Sequence, residues 1–334
     1  MNCVAARQTL FFTAVLSAAL LFALSAGAPA RAQGSYPSKP VRFIISQTSG
    51  SGGDAFARNV AENLGRRVNQ SVIVDPRPGA GGNLAAEIVA KAVPDGYNLL
   101  HGSVSSLAIA ATYYRSLNYD VRRDFAPITK TGQIANALVA GVGVPANSIN
   151  ELTAMIKAAP PGKYTCGSAG VGGLLHLTCE LYKKAANVNV LHVPYKGTAF
   201  FLSDLLAGQI TFTFDTLPIY VAQAKAGKVK ILAVTSPARS QVLPEVPTAV
   251  ESGLPGLVSV GIYGLFAPVK TPPDVLQLLH REVGAALNDA ALREKLLQQG
   301  IEIDPTSPEA LRDLLQTEIA KWARVIKDSD IRPE

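Results

Sequence analysis

The sequence predicts an α/β fold of two lobes, each built around a mainly parallel sheet, with a cleft between them. Three observations predict it. Short apolar runs alternate with helix-period segments along the chain, the rhythm that βαβ units produce. The same rhythm restarts after about residue 134. No low-complexity or flexible linker separates the two series, which implies that the chain crosses between lobes more than once.

The elements follow in order. VRFIIS (Val41–Ser46) reads as a buried strand, then come the loop QTSGSGGD and a helix from Asp54 to about Val68. SVIVD (Ser71–Asp75) is a second strand, followed by PRPGAGGN and a helix from about Leu84 to Val93; the turn PDGY leads into NLLHGS, a third strand. The second series opens with NALVAGVGV (Asn136–Val144) and KYTCGS, a helix from about Leu174 to Ala186, and VNVLHVPY. TFTFD and KVKILAVTS complete it, and GIYGLFAPV (Gly261–Val269) returns a strand to the first lobe. Two amphipathic helices, Pro273–Asn288 and Pro308–Asp328, form the tail. The expected boundaries are 36–133 and 261–334 for the first lobe and 134–260 for the second.

Residues 1–32 read as a secretory signal peptide. Arg7 stands in a short n-region, an apolar run extends from about Leu10 to Leu24, and Ala30-Arg31-Ala32 is an A-x-A cleavage site. The run is shorter than the roughly 20 residues a membrane span needs. No later segment is apolar for long enough, so a soluble, exported protein is expected. Removing Arg7 and Arg31 leaves 29 basic residues against 25 acidic ones. This mild excess has no dense Lys/Arg cluster and argues against nucleic acid. Two cysteines then remain, Cys166 and Cys179. In an oxidising compartment they most simply form one disulfide, with two free thiols as the alternative. Their spacing does not suit a C-x-x-C redox pair.

Three glycine- or serine-rich stretches follow strand ends: Thr48–Asp54, His101–Ser106 and Gly167–Gly173. Ligands of parallel α/β sheets bind at the carboxyl ends of strands. Glycines let backbone N–H groups turn inward, and a following helix N-terminus adds partial positive charge. The candidate ligand-binding residues are Thr48, Ser49, Gly50, Ser51, Asp54, Asn83, Ser103 and Ser105 from the first lobe. Ser168, Ala169, Gly170, Gly172, Gly173 and Asp215 are those of the second. Asp54 reads equally well as a helix cap.

Enzymatic motifs do not fit. SGSGGD lacks the G-x-G-x-x-G spacing, GAGGN is not followed by G-K-[ST], and Cys166 stands where a G-x-S-x-G elbow around Ser168 needs its first glycine. His101, His176, His192 and His280 form no metal-ligand pattern; His176 and Glu180, one turn apart, are too few for a metal site. Lys196 reads as an exposed turn lysine. Neither cofactor, metal nor catalytic residue is expected.

Taken in order, RPGAGGNLAAEIVAKAVPDGYNLL, DFAPIT, GSAGVGGLLHLTCELYK, HVPYKG, AGKVKILAVTSPARSQVLPEVPTAVESGLPG and GLFAP make the chain resemble the Bug (TctC-type) family. These are the extracytoplasmic solute receptors of tripartite tricarboxylate transporters, and the resemblance runs from YPSKPVRFI to AKWARVIKDSDI. It implies a Venus-flytrap periplasmic-binding-protein fold that closes on a small carboxylate, held by loop backbone and hydroxyl groups with ordered water. It also implies a periplasmic location and membrane transporter subunits as partners; a monomer is expected. Family positions map to Thr48–Asp54, Gly79–Asn83 and Ser168–Gly173, with Asp215 of FTFD near the cleft. The sequence departs at TSGSGGD, where a Pro-Gly-Gly turn is common, at Gly173 for a frequent serine, and at Tyr263 for a common tryptophan. The resemblance therefore does not specify the ligand. A sensor of the same fold and, more distantly, a hydrolase using Ser168 are the alternatives.

Overall fold

Runs of β-branched and aliphatic residues make the inner strands, because a strand covered on both faces needs apolar side chains on both. In the computed structural model, which describes residues 36–328, β1 (Val41–Ile45) pairs in parallel with β2 (Val72–Pro76) and β3 (Asn98–Ser103). Antiparallel to β3 runs β9 (Val260–Pro268), which also pairs with the long β4 (Phe125–Gly141); β10 (Ile301–Glu302) lies along the other edge of β4. A second group pairs with the far end of β4. There β7 (Phe212–Thr216) and β8 (Val229–Val234) flank it antiparallel, and β5 (Thr165–Ser168) is parallel to both β7 and β6 (Leu191–Pro194).

The expected α/β architecture is present, and its sheet is mixed. The parallel ladders expected from the βαβ rhythm occupy the flanks. Between them β4 and β9 pass in opposite directions, so every ladder they make is antiparallel. The partner of β4 changes at one place: Ala135 faces Val260 of β9, and Asn136 faces Thr216 of β7.

Helix ends show local sequence control. In α1 (Gly52–Val68) the Ser51 side chain caps the Asp54 N–H, and Asn69 ends the helix in the left-handed region at φ 51°. Then come α2 (Asn83–Ala90), α3 (Val104–Tyr113), α4 (Ile149–Lys157), α5 (Leu174–Ala186) and α6 (Thr198–Leu206). The rest are α7 (Pro218–Lys225), α8 (Pro273–Leu287), α9 (Ala290–Leu297) and α10 (Pro308–Asp328). Sequence periodicity did not point to α3, α4, α6, α7 or α9, each at most ten residues long and too short for a clear period. The expected loop His101–Ser106 does not exist as a loop. β3 continues to Ser103, which caps α3 directly by accepting from the Ser106 N–H.

The tail closes the first half of the molecule. α10 buries Leu311, Leu315, Ile319, Trp322 and Ile326 at helical spacing in a core shared with α3. Cys166 of β5 and Cys179 of α5 are joined by a disulfide. All these elements belong to one compact unit beginning at Lys39. The expected signal peptide, residues 1–32, lies outside the described residues.

Candidate ligand-binding cleft

Every parallel strand must hand its chain to a helix at its carboxyl end, and here those handovers converge. They surround a cavity of about 590 Å³, with loops of both halves of the sheet in its wall. The halves meet in its wall. The Tyr114 hydroxyl donates to the Val171 carbonyl at 3.3 Å, and Thr48 packs so closely on Gly197 that a Cβ there would lie 2.4 Å from the Thr48 methyl.

Sorting the candidate residues by geometry divides them. Thr48, Ser51, Ser103, Ala169, Gly170, Gly173 and Asp215 line the cavity. Ser49 and Gly50 lie on the exposed outside of their loop. Asp54 is buried, but its carboxylate accepts the Gly50 N–H at 2.9 Å and pairs with Arg58 at 2.9 Å, so it serves the start of α1. Asn83 stands behind the wall, accepting from the Tyr119 hydroxyl at 2.8 Å. Ser105 faces away from the cavity, toward Glu318 and the Val260 carbonyl, while Ser106, one residue on, lines it. A turn between strand and helix rotates successive side chains through large angles, and composition alone does not say which faces inward.

The loop after β5 is shaped by its own polar groups. The fully buried Ser168 hydroxyl donates to the Gly170 carbonyl at 3.0 Å, so its contact of 2.6 Å with His192 Nε2 has the histidine as donor. Gly172 has φ +73°, and a Cβ on it would lie 2.5 Å from the Tyr114 hydroxyl; only glycine fits there. Its N–H donates to His176 Nδ1 at 3.1 Å, and His176 stacks on His192 at 4.1 Å between ring centres. Burial holds the His176 pKa below its ordinary value and, with His176 and Lys183 nearby, takes that of His192 down to about 3.

Three helix starts in the wall carry no side-chain cap: Gly82 before α2, Gly173 before α5 and Gly197 before α6. First-turn N–H groups are left for a ligand or solvent, and the helix dipole adds about half a positive charge at each. The Gly79–Gly82 turn runs through positive φ at every residue, Ala80 included. Asp215 is 1% exposed and accepts the Thr216 N–H at 2.7 Å and the Tyr220 hydroxyl at 3.1 Å; burial raises its pKa to about 6.

Several contributions to the wall were missed in the sequence, among them Gln47, Tyr114, a turn after β6 and Asn136. The turn Tyr195–Thr198, after β6, supplies the exposed Lys196 and an uncapped helix start. Its signal was the glycine of YKG at a strand end, the same signal that marked the other loops. Asn136 also lines the cavity, from the middle of β4, where an apolar strand pattern gives no sign of a site. No arginine lines the cavity among the described residues. Among them too, no group of three or more His, Cys, Asp or Glu side chains could hold a metal, and no helix is long and apolar enough to cross a membrane.

Comparison with known proteins agrees with this fold. BugT of Bordetella pertussis strain Tohama I is 31% identical over 320 residues, covering 95% of this chain and 98% of that protein. R. palustris Rpa4515, solved with adipate, superposes with a TM-score of 0.86 at 33% identity, over 90% of this chain and all of the other. MatC of Rhodopseudomonas palustris, solved with bound malate, gives a TM-score of 0.82 at 29% identity, over 87% of this chain and all of the other. The model of the tripartite tricarboxylate transporter family receptor matches residues 56–331, and the chain belongs to that family of periplasmic solute-binding proteins.

Proposed function

We propose that this protein captures a small organic acid in the cleft and delivers it to a tripartite tricarboxylate-type transporter, after export and removal of residues 1–32. The observation that carries this reading is the set of uncapped helix starts at Gly82, Gly173 and Gly197, converging on one cavity beside Lys196. An ionised carboxylate in a cleft needs strong donors, and N–H groups at helix N-termini supply them without a dedicated arginine. The adipate and malate of the related structures have the same chemistry.

In this reading residues 36–133 and 261–334 form one lobe and 134–260 the other, and the protein acts as a monomer. The change of partner on β4 at Asn136 supports a hinge there. Binding without conversion is the expected chemistry. The Ser168 hydroxyl already donates to Gly170, and a histidine that donates to that hydroxyl does not take its proton. Mass spectrometry of ligand released from the purified protein should find an unmodified organic acid. Release of a reaction product, or steady turnover of the acid during calorimetric titration, would overturn the reading.

A further inference from the structure

Resting on the carboxylate reading above, we infer that the ligand carries N–H or O–H donors, of an amide, ammonium or hydroxyl group, in addition to its carboxylate. The inference comes from acceptors in the wall of the cleft. Asn136 is fully buried and lines the cavity, and its Oδ1 has no donor among the described residues.

Its orientation follows from a chain of hydrogen bonds. The Thr178 hydroxyl donates to the Leu174 carbonyl at 2.7 Å, so in its 2.6 Å contact with Ser259 the serine is the donor. The Ser259 oxygen is then free to accept from Asn136 Nδ2, at 3.3 Å. Reversing the amide would set Oδ1 against the Ser259 oxygen and its carbonyl, two acceptors. Nδ2 is therefore committed to Ser259, and Oδ1 is the atom left for the cavity.

Two further acceptors line the same cavity. Gln47 lines the cavity with its Oε1 buried and without a donor, its side chain lying over Gly53 beside the Tyr263 hydroxyl. Asp215 lines it as well, from the opposite face of the sheet, because its neighbour Thr216 is the residue that pairs with Asn136. None of the groups that act on the Asp215 carboxyl is a cation. A second ionised carboxylate would meet an amide oxygen at Asn136 or Gln47, or like charge at Asp215. A donor group instead satisfies acceptors that otherwise stay unpaired, which is how buried sites discriminate most sharply.

The test uses three matched pairs on the purified mature protein: succinate with succinamate, glutarate with glutaramate, and adipate with adipamate. Calorimetric titration should show the amide acid binding about tenfold or more tightly than the diacid of the same length. Asn136→Leu should shrink that ratio. Because Asn136 also belongs to the buried network with Ser259, Gln47→Met supplies a second variant outside it, and thermal melts report whether each folds. Diacids that bind as tightly as their mono-amides, or more tightly, overturn the inference and leave the carboxylate reading standing. Binding by none of the six overturns the carboxylate reading as well.

Discussion

At the scale of single residues, the carboxylate of Asp54 and the missing side chain of Gly172 do opposite things. Asp54 reads in sequence as a ligand contact or as a helix cap, and it holds the Gly50 N–H and pairs with Arg58 at the start of α1. Asp54→Ala should cost about 1 kcal/mol of stability, the usual worth of such a cap, and change ligand affinity several-fold at most. Urea denaturation beside calorimetric titration checks both; loss of binding at unchanged stability would make Asp54 a ligand contact. Gly172 combines positive φ with a Cβ position occupied by the Tyr114 hydroxyl. Gly172→Ala should destabilise by about 1–3 kcal/mol and weaken binding, since it deforms the loop that carries Gly170 and Gly173. The glycine-rich composition of this loop was legible in the sequence. That Ser168 would turn its hydroxyl to Gly170 and His192 was not, because His192 arrives from a neighbouring strand.

Among the elements, β5 and α5 are tied covalently as well as by packing. Chain-entropy arguments put the closure of so short a loop at about 2–3 kcal/mol. Replacing both Cys166 and Cys179 by alanine should therefore lower stability by about that amount, read as a shift in the urea midpoint. An unchanged midpoint, or two thiols that alkylate without reductant, would show that the bridge contributes nothing in solution. At the other end of the chain, α10 buries Trp322 completely beside Glu318. Trp322→Ala should cost about 3–5 kcal/mol through lost burial and the cavity left behind. Both amphipathic tail helices were visible as periodic patterns, since a helix of that length repeats its apolar face several times. Short helices such as α6 and α7 pass through too few turns to do so, and packing against the sheet decides their existence.

Over the whole molecule, acid should destabilise the fold. His101 and His192 are held neutral by burial, with pKa values near 3, against an ordinary value of about 6.5. Between those values the unfolded chain binds more protons, so their contribution is complete above about pH 6.5 and is lost as pH falls toward 3. Asp215, raised to about 6, works the other way: its contribution is complete below about pH 4 and fades as pH rises through 6. Two histidines outweigh one aspartate, and the melting temperature should fall from pH 6.5 to pH 4. His192→Gln, which keeps a donor for Ser168, should flatten that fall; a mutant curve parallel to the native one would remove His192 from the account. Contacts between loops of the two halves in the cavity wall fit the proposal that the cleft opens and closes around its ligand. Small-angle scattering should give a smaller radius of gyration with a bound acid than without, and identical radii at verified saturation would exclude a hinge.

The α/β class, the strand runs at Val41, Asn98 and Gly261, and the glycine-rich stretches Thr48–Asp54 and Gly167–Gly173 were legible in the sequence alone. Each depends on short-range periodicity or on glycines within a few residues. Only the tertiary structure decided which of those residues face the cavity. Asn136 became a wall residue because β4 exchanges β9 for β7 at that position, a matter of register between strands far apart in the chain. Lys196 joined the wall because β6 lies parallel to β5 and delivers its turn to the same end of the sheet. Long-range pairing sets which strand ends meet, and no local pattern records it.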